Sequence, residues 1–249
     1  MQEHKNIYFL SDFHLGLDSK TKSKDREVNI VRFLQNIEND AKILILLGDI
    51  FDFWFEYKEV VPKGFVRFQA QLAKLIEHGV KVYYFVGNHD LWQKDYFEQE
   101  LGIKIFRDKY RKMNFDDKIF VIGHGDGLDD TDTTYKVIYK IFSSKFMWKL
   151  FSLLGSHIGM KLAFKWSQNN RKKHYKYDMQ DLKDKEPMYK FCVSYEKQHK
   201  VDYFIFGHRH IVKLYNLPQG AKYINTGSWL YDMPYAMWDG NELIVKRFA

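Results

Sequence analysis

The chain has 249 residues, 45% of them hydrophobic and 18% aromatic, which suits one α/β domain able to bury a large core. Its single cysteine, Cys192, excludes an intrachain disulfide framework and any Cys-x-x-Cys zinc or redox site, so a reducing compartment fits. The net charge of +7 is local: residues 133–177 hold ten Lys or Arg and no Asp or Glu, which leaves 29 basic against 32 acidic residues elsewhere.

The amino terminus, MQEHKNIYFLSD, turns apolar for four residues before Ser11 and Asp12, so neither a signal peptide nor a membrane span is expected there, and the protein is expected to be soluble or peripheral. IYFL at 7–10 is the first of five β-branched and aromatic runs, followed by ILILL at 43–47, VYYFV at 82–86, KIFVI at 118–122 and YFIF at 203–206; all read as buried strands. Between the first three, Val28, Ile30, Val31, Phe33, Leu34 and Ile37, then Phe65, Phe68, Leu72, Leu75 and Ile76, recur at helical spacing. Strands alternating with helices predict a layered α/β fold. The stretch between the fourth and fifth strands far exceeds the roughly 10–12 residues a crossover needs, which predicts an inserted helical lid at 128–195 within a single domain spanning 1–249. KYINTGSW, YAMWDG and LIVKRF then predict consecutive short strands with a hairpin through Asp239 and Gly240, so the sheet finishes mixed or antiparallel.

Each predicted strand ends in the same few polar types: SDFHLG at 11–16, GDIFD at 48–52, GNHD at 87–90, GHGD at 123–126 and GHRH at 207–210. Sites in open α/β sheets gather beyond the carboxyl ends of strands, so five such ends can converge. Asp12 and His14 stand two apart, as do His208 and His210, and each pair projects from one face where it could grip a metal. A lone Asp-x-His or Gly-Asp is more often a turn or a helix cap, but five blocks in this order, each after a strand, are poorly explained that way. Asp12, His14, Asp49, Asn88, His124, His208 and His210 supply seven oxygen and nitrogen donors and no sulfur. Two divalent ions about 3.5–4 Å apart, bridged by a carboxylate and a hydroxide, would use them all. Such donors suit manganese, iron or zinc. His4, His78, His157, His174 and His199 lie outside the pattern and read as surface or packing residues. No Gly-x-Ser-x-Gly elbow or Walker loop occurs and Cys192 is remote from every motif, so covalent and triphosphatase schemes find little support.

The five blocks resemble the calcineurin-like metallophosphoesterase superfamily, whose pattern is Asp-x-His, Gly-Asp, Gly-Asn-His-Asp, Gly-His and Gly-His-x-His, over residues 5–127 and again over 200–245. The resemblance implies a layered metallophosphoesterase β-sandwich flanked by helices. It places Asp12, His14, Asp49 and His210 on one metal and Asn88, His124, His208 and the bridging Asp49 on the other, with Mn²⁺ the leading candidate for both. His89, with Asn88 beside it, is left to face the phosphate, where it stabilises developing charge or protonates the leaving oxygen. Asp90 and Asp126 are expected either to orient imidazoles or to pack and cap.

GDIFDFWFEY, GHGDGLDDTDTTYK and the WSxxxR stretch at Trp166, Ser167 and Arg171 further resemble the UDP-2,3-diacylglucosamine pyrophosphatases of lipid A synthesis, of Bacteroidetes type, over nearly the whole chain. This implies cleavage of the substrate's pyrophosphate to UMP and 2,3-diacylglucosamine 1-phosphate at the cytoplasmic face of the inner membrane, with no obligate protein partner. Substrate contacts would fall on Asn88, Asp132, Ser167, Arg171, His174 and His208. The best-known lipid A enzymes read Gly-Asn-Arg-Asp where this chain has His89.

Residues 136–166 combine wide apolar faces with lysines at 136, 140, 145 and 149, a basic amphipathic helix followed after Gly155 and Gly159 by another. Solvated helices usually mix charge signs for i, i+4 pairing. A lid on a lipid or an anionic inner-membrane surface is therefore expected, with Trp148 and Phe151 in the contact. The alternative substrates are another nucleotide, another phosphoester, or a nucleic acid met by counterion release. The apolar residues are too continuous for a phosphate-tracking strip, so nucleic acid is not the expected partner. A third reading, a scaffold that binds a protein through the lid, would usually lack several ligands, and here every expected type is present.

Overall fold

In a computed structural model, residues 5–19, 21–128, 133–163, 182 and 185–249 are described. The first half runs β1 (Asn6–Leu10), α1 (Ser23–Asn36), β2 (Ala41–Leu46), α2 (Val66–Glu77), β3 (Lys81–Phe85), α3 (Tyr96–Leu101), β4 (Lys104–Phe106), β5 (Arg111–Phe115) and β6 (Lys118–Ile122). Then come α4 (Thr133–Phe142), α5 (Lys145–Ser152), a helix α6 over 155–163, α7 (Pro187–Glu196), β7 (Tyr203–Phe206), β8 (Val212–Asn216), β9 (Lys222–Thr226), β10 (Pro234–Trp238) and β11 (Leu243–Arg247).

Two mixed sheets result, ordered β11-β10-β1-β2-β3-β4 and β5-β6-β7-β9-β8. Every residue of β1 is buried, as a strand with neighbours on both edges and layers on both faces requires. Its alternation divides the core: Ile7 and Phe9 face the second sheet through Phe120, Ile205 and Ile224. Tyr8 and Leu10 face Phe33 and Leu34 of α1 and Leu72 and Leu75 of α2. On the outer side of the second sheet, α7 buries Met188 and Cys192 against Phe204, Phe206 and Tyr223. The molecule is thus the expected helix-flanked sandwich, and α7, the last part of the 128–195 stretch, packs with it.

The five apolar runs all form strands, and the hairpin through Asp239 and Gly240 joins β10 to β11. The carboxy-terminal strands are split between sheets, since β9 pairs with β7 and β10 with β1. Neither β4 nor β5 announces itself. The first has three residues, and the second, RKMNF, is an edge strand with no buried residue.

Candidate active site

The five polar blocks follow β1, β2, β3, β6 and β7 directly, and the backbone there is bent into an uncommon conformation. Asp12, His14, Asp49, His208 and His210 have φ of 54°, 46°, 52°, 71° and 50°, left-handed values that cost a residue with a Cβ roughly 1–2 kcal/mol. Such conformations persist where the surroundings over-determine them. Arg26 of α1, 1% exposed, donates to the carbonyls of Phe13 at 2.6 Å, His14 at 2.7 Å and Leu17 at 2.6 Å, holding the Asp-x-His turn from behind. Asp90 accepts from Gly87 N at 2.7 Å, Ile50 N at 2.9 Å and the Tyr84 hydroxyl at 2.6 Å, which ties the GNHD turn to the GDIFD turn. The approach of those turns leaves no room for a side chain at Gly48. A Cβ there would lie 2.7 Å from Gly87 N and 2.9 Å from His124 Nδ1, at a φ of +91°. Gly48→Ala is expected to lower stability by about 2–4 kcal/mol, read from the urea unfolding midpoint.

Beyond these turns the side chains converge. One group joins Asp12, His14, Asp49 and His210, a second joins Asp49, His124 and His208, and a third joins His14, Asp52 and His89, the donor atoms of each lying within 4.8 Å of one another. Nε2 of His14 and Nε2 of His210 are 3.0 Å apart, and Asp12 Oδ1 is 3.1 Å from the latter. Asp49 Oδ2 lies 3.4 Å from His124 Nε2 and 3.9 Å from His14 Nε2. Asn88 Oδ1 stands 3.2 Å from His124 Nε2 and 3.0 Å from His208 Nδ1. All seven expected donors therefore share one centre. Asp12, His14, Asp49 and His124 form its buried floor, and Asn88, His208 and His210, with His89, form its half-buried rim.

The donor set fits divalent cations. Asp12 Oδ1 is buried and makes no hydrogen bond among the described residues, and imidazole nitrogens aimed at one another and at a carboxylate oxygen are reconciled by a cation between them. The charge balance points the same way. Burial pushes Asp12 up, yet the adjacent His14 and His210 hold it below the usual carboxylate range; for Asp49, His124 and His89 outweigh burial in the same sense. Burial lowers His124, but Asp49 outweighs it and raises the imidazole well above its ordinary value. Burial and the neighbouring His124 charge lower His208 to about 3. The two carboxylates thus keep their negative charge and draw positive charge to the centre.

Carbonyls set the tautomers. His124 Nδ1 is 2.7 Å from Leu47 O and His89 Nδ1 is 3.0 Å from Asp52 O. A carbonyl only accepts, so each Nδ1 carries a proton and Nε2 is the nitrogen left to face the centre or the phosphate. Asp52, unremarked in the sequence, also places Oδ1 3.6 Å from both His14 Nδ1 and His89 Nδ1. Its signal was the second acid of GDIFD. Asp90 meets two backbone amides and a tyrosine rather than an imidazole, and Asp126 accepts from Tyr135 of α4 at 2.5 Å. Asp132, Ser167, Arg171 and His174 lie outside the described residues.

An apolar groove opens directly from the rim, bounded by Asn88 and His89 on one side and by Tyr135, Ile138, Tyr139 and Phe142 of α4 on the other. A second groove, of about 540 Å³, lies between the Phe53–Phe65 loop and α6. Phe53 and Phe55 seat the helices, Phe55 stacking on Trp148 at 5.6 Å and meeting Phe151 at 4.8 Å. This corrects one expectation: Trp148 and Phe151 are half-buried in the seat rather than turned to a membrane. The outward apolar residues are Val137, Ile138 and Ile141 of α4, Phe146 and Leu150 of α5, Leu153 and Leu154, and Ile158 and Leu162 of α6. Phe146 and Leu153 are the most open, at 73% and 77% exposure.

A family model described as calcineurin-like phosphoesterase matches residues 5–212. Among curated proteins, a UDP-2,3-diacylglucosamine hydrolase of Porphyromonas gingivalis is 32% identical, with 96% of each chain covered. One from Haemophilus influenzae is 29% identical over 90% of this chain and 91% of its own. A solved archaeal phosphodiesterase, 14% identical, covers 98% of this chain and 99% of its own with a TM-score of 0.49.

Proposed function

The chain belongs to the calcineurin-like phosphoesterase family, and we propose that it hydrolyses the pyrophosphate bond of UDP-2,3-diacylglucosamine, giving UMP and 2,3-diacylglucosamine 1-phosphate in lipid A synthesis. The names of its curated relatives support that substrate. The observation that carries it is the apolar groove that begins at His89 and Asn88, because it brings a hydrophobic surface to the edge of the Asp/His centre.

In this reading Asp12, His14, Asp49 and His210 hold one divalent cation and Asp49, Asn88, His124 and His208 the other, with Mn²⁺ proposed for both. Bound there, such ions would supply a coordinated water of lowered pKa and neutralise charge on phosphoryl oxygens. The chain's own residues do the rest. His89, anchored at Nδ1, meets the phosphate through Nε2, as a hydrogen-bond donor to developing charge or as the acid for the leaving oxygen. Asn88 and His208, at the rim, reach both cation and phosphate. Asp52 keeps His14 and His89 in the productive orientation. Asp132, Ser167, Arg171 and His174 are the proposed further substrate contacts, and α4–α6 the lid of the single domain, within the 128–195 insertion.

Purified protein with Mn²⁺ and UDP-2,3-diacylglucosamine is expected to release UMP. Absence of UMP while a chromogenic phosphodiester is cleaved would remove this substrate and favour another phosphoester.

The proposed partner surface is anionic inner-membrane lipid on its cytoplasmic side. Among the described residues no helix is long and apolar enough to cross a membrane. The exposed apolar residues of α4–α6 are interleaved with Lys136, Lys140, Lys145, Lys149 and Lys161, the pattern of a helix lying in the interface plane. Phe146→Ser with Leu153→Ser is expected to weaken sedimentation with phosphatidylglycerol vesicles by at least about 10-fold, given roughly 1.5–3 kcal/mol per apolar side chain buried. Unchanged sedimentation would place the contact elsewhere.

A further inference from the structure

His208 and His210 flank Arg209 in the turn after β7; their rings lie at Asn88 and Asp12, while the Arg209 guanidinium lies toward Glu186. Arg209 is 3% exposed, and its Nη1 lies 4.0 Å from Oε1 of Glu186, which is fully buried just ahead of α7. Glu186 also accepts from Lys213 Nζ, in β8, and from the Tyr223 hydroxyl, in β9, at 3.1 Å. Two residues on, Met188 lies against the other histidine turn: a Cβ on Gly125 would stand 2.5 Å from its sulfur. One helix end thus supports both the turn that carries His124 and the turn that carries His208 and His210.

Buried charge clusters are weak evidence for stability, since apolar replacements often serve as well. A positioning role fits the cluster better, because the turn it grips has left-handed backbone at both His208 and His210 and needs fixing from outside. We infer that Glu186 is a positioning residue for the 207–210 turn, holding Arg209 and Lys213 so that His208 faces Asn88 and His210 faces Asp12. The inference rests on the metal reading of the site.

Glu186→Gln keeps the volume and an acceptor for Tyr223 and removes the charge. Calorimetric titration of the metal-free variant with Mn²⁺ is expected to show affinity about 10-fold weaker than wild type, in the range seen when groups supporting metal ligands are removed. A purely structural role would lower Tm and leave the Mn²⁺ affinity of the folded variant unchanged, and that result overturns the inference. Should Glu186→Gln fail to fold, Arg209→Gln, which keeps Glu186 with Lys213, is titrated in its place; the same loss is expected, and wild-type affinity overturns the inference. Wild-type protein that takes up no Mn²⁺ would sink the metal reading together with this inference, whereas equal uptake by wild type and variant sinks this inference alone.

Discussion

Asp49→Asn is expected to reduce phosphodiester turnover by at least about 10³-fold and to weaken Mn²⁺ binding at both positions together. Asp49 is the residue common to the group with Asp12, His14 and His210 and the group with His124 and His208, and it is 1% exposed. Its Oδ1 accepts from His89 N at 2.8 Å while Oδ2 faces His124 and His14. Asparagine fits the space and can keep the bond to His89 N, so the fold should survive. What it lacks is the charge that a shared ligand supplies, and its amide NH₂ would point where a cation or an imidazole stands. Calorimetry should therefore show both binding events weakened, not one. A variant that retains two Mn²⁺ ions and wild-type turnover would remove Asp49 from the centre of the mechanism.

That shared position was legible in the sequence because its signals are local. A strand buried on both faces must be continuously apolar, so IYFL, ILILL, VYYFV, KIFVI and YFIF could be read without a partner sequence, and the donors lie in the turns after them. Residues whose meaning depends on a distant neighbour were not legible. Arg26 looks like an ordinary helix cation until its guanidinium is seen under the carbonyls of Phe13, His14 and Leu17. Asp90 sits beside His89 in sequence but gives its carboxylate to the backbone of two turns, whereas Asp52, a residue with no role read from the sequence, reaches the imidazoles. The basic helices show the same limit. A helix apolar around most of its circumference does not declare which side packs, so Trp148 and Phe151 could be assigned to the wrong face until Phe53 and Phe55 were seen to occupy them.

His89→Ala is expected to lower kcat by about 10²–10³-fold, the range for loss of a positioned proton donor or charge-stabilising group, with Mn²⁺ stoichiometry unchanged. The separation from Asp49 follows from geometry. His89 is tied to Asp52 O through Nδ1 and borders the apolar groove, so it stands where the Asp/His centre meets that groove, outside the seven proposed ligands. His89→Arg tests what that imidazole contributes. A guanidinium would keep a permanent positive charge at the rim but could not transfer a proton near neutral pH. If His89 acts by charge alone, His89→Arg should recover most of the activity lost in His89→Ala, and the arginine of the best-known lipid A enzymes would be its functional equivalent. If His89 is the acid, the arginine variant should stay as slow as His89→Ala. Full activity in His89→Ala would mean that neither role belongs to this residue, and the phosphate would have to be placed on the other side of the rim.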